Sequence, residues 1–137
     1  MRVFSSTDPV RYYETDQMGV VHHSNYIRFF ENARSQMMAD LGCPIEQFEK
    51  QFGILIPIVS VSIRYRHPAR MGDVLTATAA VPAAPMAKMT VVQTVVNQKG
   101  EVCAEGEVVL GFIDCKTFRA TRCPEVIAKM FEEISKA

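Results

Sequence analysis

The sequence has no excess of charge of either sign and no long apolar run. Lys plus Arg and Asp plus Glu number 15 each, whereas a nucleic-acid-binding domain shows a basic excess or stripe. No stretch approaches the roughly 20 apolar residues that span a bilayer. Residues 1–6 also lack the apolar block of an export signal. We therefore expect a cytoplasmic protein with no membrane span and no nucleic-acid partner.

Cysteine is scarce and shows no metal-binding pattern. The four cysteines, Cys43, Cys103, Cys115 and Cys123, include no C-x-x-C pair, which is the spacing typical of zinc sites. A chain without an export signal is also not expected to form disulfides. We therefore expect reduced and structurally inert thiols.

The 137 residues contain no internal repeat, no low-complexity tract and no linker-like segment. Hydrophobic residues make up 48% of the chain, which is enough for one buried core at this length. The Pro- and Ala-rich residues 81–85 are too few for an interdomain linker and indicate a loop. A single domain over residues 1–137 is predicted.

The clearest helical pattern follows residue 24. Apolar residues recur there at steps of three and four, which is typical of an amphipathic helix: Tyr26, Phe29, Phe30, Ala33, Met37 and Leu41. Ser24 or Asn25 is expected to cap the start and Gly42 to end the helix. Glu31 and Arg34 are expected to pair on its surface. A second, shorter helix is predicted over residues 45–52, with Pro44 at its first position.

The remaining pattern predicts strands. A short first strand is expected near residues 8–14, with Pro9 at an edge or at its start. Four further strands are predicted over residues 59–66, 74–81, 88–97 and 102–112. In the first of these four, Val59, Val61, Ile63 and Tyr65 alternate with polar residues.

Residues 98–100 indicate a hairpin turn, and a last helix is expected after Pro124. Val126, Ile127, Met130, Phe131 and Ile134 are spaced to face the sheet. The strands are joined without crossover helices, so the order predicts an α+β protein with an antiparallel sheet.

Asp16 lies in a glycine-containing loop just before the long helix. The first backbone N–H groups of a helix have no intrahelical partner and carry partial positive charge. Such donors stabilise a developing oxyanion. A carboxylate beside an oxyanion site is a workable arrangement for breaking an acyl bond.

Two segments carry a family resemblance. The first comprises residues 14–16 and 19–21, His23, Tyr26 and residues 29–34, and the second comprises residues 65–73. Over about residues 6–133 the chain resembles hotdog-fold thioesterases of the 4-hydroxybenzoyl-CoA thioesterase branch and their YbgC-like acyl-CoA thioesterase relatives. His22 is a departure, because many relatives have an aromatic residue there, often tyrosine.

The resemblance implies a hotdog fold, in which a curved antiparallel sheet of about five strands wraps a long central helix. It also implies a homodimer with the sheets joined edge to edge, or a homotetramer. The active site would lie at a subunit interface, with the acyl group in a tunnel beside the helix. Asp16 would attack the thioester carbonyl or activate water, Gly19 would allow close backbone approach, and the His23 backbone N–H would bind the oxyanion.

The same resemblance suggests substrate-binding residues. Val21, His22 and Tyr26 are expected to line the acyl pocket. Arg64 and Arg66 are the first candidates for the CoA phosphates, because guanidinium suits phosphate geometry; further candidates are Arg70, Lys88, Arg119 and Arg122. No metal or cofactor is expected, since adjacent histidines rarely point at one ion and no third strong ligand lies nearby.

The leading hypothesis is an acyl-CoA thioesterase that yields the free acid and CoA. A non-catalytic protein that binds acyl thioesters or acyl-carrier protein is a second possibility, and a hotdog dehydratase is a third, since one scaffold hosts several activities. Three further questions stay open: the preferred acyl group, CoA or carrier protein as the thiol, and nucleophilic or general-base attack.

Overall fold

The computed structural model describes residues 1–137 and contains three α-helices, a short 3₁₀ helix and seven strands. The helices are α1 (Ser24–Asp40), α2 (Ile45–Phe52) and α3 (Glu125–Lys136), and the 3₁₀ helix covers Tyr12–Glu14. The strands are β1 (Phe4–Pro9), β2 (Ile54–Leu55), β3 (Ile58–Tyr65), β4 (Val74–Ala80), β5 (Lys88–Val96), β6 (Val102–Gly111) and β7 (Ile113–Asp114). No helix combines the length and the apolar character needed to cross a membrane.

Five strands form one antiparallel sheet in the order β1-β4-β5-β6-β3. The short strands β2 and β7 form a separate pair, which the sequence did not predict. The hairpin between β5 and β6 turns where expected, with Gly100 at φ +79°, a left-handed conformation that favours glycine. The predicted α+β class and five-stranded antiparallel sheet are confirmed.

The sheet wraps α1, which packs chiefly against β1, β4 and β5. Phe30, Ala33 and Met37 on its inner face are fully buried, as the helical spacing predicted. Val91 and Val95 of β5 are equally buried on the facing side. At roughly 1.5 Å per residue, the 17 residues of α1 span about 25 Å, so one helix covers most of the sheet.

The first strand lies earlier in the chain than predicted. Phe4–Pro9 pairs with β4 from Phe4 opposite Ala79 to Pro9 opposite Val74, and the strand ends at Pro9, which has no N–H to continue the ladder. The next residues turn into the 3₁₀ helix, because the Arg11 N–H donates to Glu14 Oε1 at 2.7 Å. The expected strand over residues 8–14 is therefore wrong beyond Pro9.

Strand β3 forms one edge of the sheet, and the apolar face of its alternating pattern is largely exposed. Only Ile63 is half-buried, whereas Val59, Val61 and Tyr65 are 51%, 38% and 50% exposed. The strand has one neighbour, β6, and α1 lies over the opposite half of the sheet. Alternation therefore identified the strand correctly, and its apolar side chains stay open at the edge of the sheet.

The two shorter helices begin where the sequence predicted. α2 covers the predicted residues 45–52, and α3 begins directly after Pro124. Pro44 is the N-cap residue of α2 rather than its first helical residue, and Pro124 is likewise the N-cap of α3. In α3 the predicted inner face is confirmed for Ile127 and Phe131, which are buried, but not for Val126, which is 63% exposed.

Candidate active site

The loop before α1 is held closed by its own backbone. Asp16 N–H donates to Val20 O at 2.8 Å and Gly19 N–H donates to Asp16 O at 3.0 Å. Gly19 has φ +78°, which a residue with a side chain rarely adopts. The loop therefore turns back at Gly19 and brings Asp16 beside the start of the helix.

The Asp16 carboxylate is oriented by two backbone donors. Its Oδ1 accepts hydrogen bonds from Met18 N at 2.8 Å and from Val20 N at 3.4 Å. Its Oδ2 accepts no hydrogen bond within the chain, and no basic side chain lies within ion-pair distance of the carboxylate. One oxygen is thus fixed while the other is free to act on a bound molecule.

The helix start is capped differently from the prediction. His23 is the N-cap residue, and neither Ser24 nor Asn25 caps the helix. Instead, Ser24 N–H donates to His22 Nδ1 at 3.2 Å. The Ser24 hydroxyl lies 2.8 Å from the same nitrogen and forms a second hydrogen bond between the two residues. Asn25 is buried, with Nδ2 donating to Glu14 O at 2.8 Å.

The backbone N–H of His23 takes part in no hydrogen bond of the structure. It belongs to the first turn of α1, where orphan donors and the helix dipole favour negative charge. It is therefore available to a bound acceptor.

Asp16 and His23 line one pocket of about 280 Å³. Of the residues predicted from the sequence, this pocket brings together Asp16, Val21, His23, Tyr26 and Arg66. Its other lining residues are Met18, Val20, Tyr65, His67, Pro68 and Cys103.

Three residues of the predicted site lie outside that lining. Gly19 acts only through the shape of the loop. The His22 ring stacks on His23 with centroids 4.2 Å apart and holds the helix start instead of lining the pocket. Arg64 lies in a separate open pocket, so its predicted role at the CoA phosphates stays a prediction. The further phosphate candidates also lie outside the pocket lining: Arg70, Lys88, Arg119 and Arg122.

Arg66 lies at the pocket but is already engaged. Its Nη2 and Nε donate to Glu105 Oε1 at 2.7 Å and 3.1 Å. Both side chains are exposed, so the ion pair is weak and exchangeable. Arg66 can therefore turn to a phosphate at the pocket rim.

Tyr65 is a pocket residue that was not predicted as one. Its hydroxyl donates to His23 O at 3.3 Å, and its ring packs edge-on against Tyr26 with centroids 5.4 Å apart. The alternating pattern had placed it only on one face of a strand. Tyr65 is also the first residue of the second family-like segment, and that position was the available signal.

The inner wall of the pocket is formed by buried side chains. Tyr26 is 4% exposed, and burial raises its pKa to about 12. Burial likewise raises the pKa of the Cys103 thiol to about 11. Both groups are therefore neutral at physiological pH.

One family model of known proteins matches most of this sequence. The model described as the thioesterase-like superfamily matches residues 10–131, and the chain belongs to that family. The fold is the hotdog fold of its thioesterase members.

Two curated relatives are similar in sequence. YneP of Bacillus subtilis, named provisionally as an acyl-CoA thioesterase, is 41% identical over 73 residues, which is 53% of this chain and 52% of YneP. The chain thus spans about half the length of that relative. The acyl-CoA thioester hydrolase YbgC of Escherichia coli is 28% identical over 131 residues, covering 91% of this chain and 94% of YbgC.

A solved structure agrees with these relatives. A DHNA-CoA thioesterase from Staphylococcus aureus superimposes with a TM-score of 0.82 at 30% identity, covering 89% of this chain and 81% of that one. The similarity therefore extends over sequence and fold together.

Proposed function

We propose that this protein hydrolyses an acyl-CoA thioester to the free acid and CoA. The observation that carries the proposal is the pairing, in one pocket, of a carboxylate with a free oxygen and a helix-start N–H with no partner. The names of the relatives add support, since both curated relatives are named for acyl-CoA thioester hydrolysis.

Asp16 is assigned the attacking role. As a nucleophile, its Oδ2 adds to the thioester carbonyl carbon and expels CoA thiolate, and water then hydrolyses the resulting anhydride. As a general base, it takes a proton from the water that attacks the same carbon. In both routes negative charge develops on the carbonyl oxygen, where the His23 N–H donates a hydrogen bond.

The surrounding residues support binding. Val21 and Tyr26 offer an apolar wall for the acyl group, and Gly19 sets the turn that presents Asp16. Arg66 at the rim suits a CoA phosphate, which binds guanidinium in a forked geometry. A carrier-protein thioester would place the same acyl group against Asp16 with a different thiol outside.

We also propose that the protein works as a homodimer joined through β3. This edge strand exposes backbone groups and apolar side chains along its free side, and sheets with such an edge readily pair. Antiparallel pairing of two β3 strands would place a second copy against Tyr65 and the adjacent pocket. Such a dimer would close the side of the pocket that one chain leaves open.

The first test replaces the Asp16 carboxylate. Asp16→Asn keeps the side-chain shape and the Oδ1 acceptor but removes the charge. Free-thiol release from aromatic, short-chain and long-chain acyl-CoAs should fall about a hundredfold or more, as expected for an acid–base or nucleophilic group. Asp40→Asn, at the other end of α1, is the matched control and should retain activity.

Three outcomes would contradict this proposal. Hydrolysis that survives Asp16→Asn unchanged would exclude the assigned mechanism. Tight binding of acyl-CoAs without turnover by the wild-type protein would favour a binding protein for acyl thioesters or acyl-carrier protein, and hydration of an enoyl thioester would favour a dehydratase.

A further inference from the structure

A second, larger cavity lies away from the Asp16 pocket and shares no lining residue with it. It is bordered by α1, α2 and the β2–β7 pair and has a volume of about 440 Å³. Twelve of its seventeen lining residues are hydrophobic, among them the buried Met37, Met38 and Met89. This size and lining are typical of a small-molecule site.

One buried charged side chain lies among the apolar residues that line this cavity. Arg34 of α1 is only 7% exposed, although the sequence placed it on the helix surface in a pair with Glu31. Its Nη1 donates to Gln93 Oε1 at 2.9 Å. Gln93 is 2% exposed and is itself held by Phe30 O, to which its Nε2 donates at 2.8 Å.

Arg34 has no anionic partner. No carboxylate lies within 4.0 Å of its guanidinium, and a neutral amide is its only hydrogen-bond partner. Every fully enclosed side-chain nitrogen or oxygen in the protein has a partner, so the other guanidinium nitrogens must remain accessible. Arg34 is also one of the residues that line the cavity.

Burying a cation that has only a neutral partner costs desolvation free energy. A matched anion lowers that free-energy cost. Burial accordingly lowers the pKa of Arg34, although arginine stays protonated in proteins. Glu31, Glu46 and Glu49 also border the cavity, but all three are exposed, where water and salt screen their charge. The enclosed part of the cavity is therefore apolar with one cation.

We propose that this cavity binds a carboxylate with an apolar body, whose carboxylate pairs with the Arg34 guanidinium. Two sources share this chemistry. One is a free carboxylic acid. The other is the far end of a dicarboxylic acyl thioester that is hydrolysed at Asp16 of a second copy, and this source alone depends on the function and dimer proposed above.

The test uses decanoate and decanamide, which match in length and differ in charge. Calorimetric titration of the wild-type protein should show at least tenfold tighter binding of decanoate. With methionine methyls labelled with carbon-13, decanoate should shift the NMR signals of Met37, Met38 and Met89, which line this cavity. Met18, which lines the Asp16 pocket, should not shift and serves as the internal control.

Two variants probe Arg34. Arg34→Met keeps the bulk of the side chain and should abolish the preference for decanoate. Arg34→Lys keeps the charge but lacks the paired N–H donors of a guanidinium, so it should retain part of that preference. Equal binding of the two ligands by the wild-type protein would overturn the proposal, and so would shifts confined to Met18. These wild-type results decide the matter even if Arg34→Met fails to fold.

Hydrolysis separates the two sources. A preference for decanedioyl-CoA over decanoyl-CoA that Arg34→Met removes would identify the acyl end as the ligand. No such preference, with decanoate still bound in the cavity, would identify a free acid. A protein without any thioesterase activity would refute the proposed function and leave the decanoate titration as the test of the cavity.

Discussion

Tyr65 links the end of the edge strand to the start of α1. Its hydroxyl holds the His23 carbonyl, and its ring packs edge-on against the His23 ring with centroids 6.3 Å apart. The His23 N–H that we assign to the oxyanion belongs to the same residue. Tyr65 therefore acts as a positioning residue for the proposed donor.

Tyr65→Phe should lower kcat about three- to tenfold, which corresponds to the loss of one ordinary hydrogen bond. KM should change little, because the ring and its packing remain. Steady-state thioester hydrolysis measures both constants. Tyr13→Phe, at an exposed tyrosine, is the control, and a rise in KM at constant kcat would instead make Tyr65 a binding residue.

Three buried groups should make the fold sensitive to alkali. Burial raises the pKa of Tyr26 and of the Cys123 thiol to about 12 and that of Cys103 to about 11. The unfolded chain ionises first, at about 9 for thiols and about 10 for tyrosine. The contribution of these three groups to the free energy of unfolding should therefore be constant below about pH 8 and fall as pH rises toward 11 and 12.

Urea unfolding at a series of pH values measures this loss. In Tyr26→Phe the free energy of unfolding should decline less steeply above pH 10, since the phenol no longer contributes. The decline between pH 9 and 10, which comes from the thiols, should remain. An identical pH profile for the wild-type protein and Tyr26→Phe would show that Tyr26 is not protected from ionisation by burial.

At the scale of elements, the pairing of β3 with β6 depends on a missing side chain. A Cβ at Gly106 would lie 1.9 Å from the carbonyl oxygen of Ser62. The obstructing atom is backbone, so a strand would have to move. The two strands therefore approach more closely at this point than a side chain allows.

Gly106→Ala should cost at least about 2 kcal/mol of unfolding free energy, because overpacking in a rigid site is destabilising. Gly111→Ala in the same strand is the control. There a Cβ would meet side chains only, Val59 Cγ2 at 3.3 Å and Pro57 Cγ at 3.9 Å, and the cost should stay below about 1 kcal/mol. Denaturant titration compares the two, and equal stabilities would contradict the steric argument.

Elements with a strong local period could be predicted from the sequence. α1 and α2 were found because their apolar spacing and the following glycines are local signals, and the β5–β6 hairpin because its turn is local too. The strand order was not predictable in this way, since β3 pairs with β6 across about 40 residues. The first strand was misplaced because Pro9 ends it rather than starting it.

The part of the candidate site that was predicted consists of residues close together in the sequence. Asp16, Gly19 and His23 lie in one loop, so sequence alone grouped them. Tyr65 was missed because it reaches the loop only through the fold. Arg34 was assigned to the helix surface by its charge, although its spacing from Phe30 and Met37, four and three residues away, placed it on the buried face.

At the scale of the whole molecule, the dimer that we propose depends on the free edge of β3. The wild-type protein should sediment at twice its chain mass of 15.4 kDa. Val61→Lys places a charge in the middle of that edge and should give monomers with reduced thioesterase activity, because the pocket loses the second copy. Analytical ultracentrifugation with parallel assays checks both effects.

Val126→Lys on α3 is the control, since Val126 is also an exposed apolar residue but lies outside the edge. It should stay dimeric and active. A wild-type monomer with full activity would refute the dimer and would show that one chain holds a complete site.

The sheet order also has a consequence during biosynthesis. β3 leaves the ribosome before β6, the strand that pairs with it in the chain. With almost 40 residues to be added at about 5–20 residues per second, β3 waits roughly 2–8 s for that partner. Throughout this interval β3 has no partner strand within its own chain, so nascent chains on neighbouring ribosomes can mispair at this strand before β6 is made.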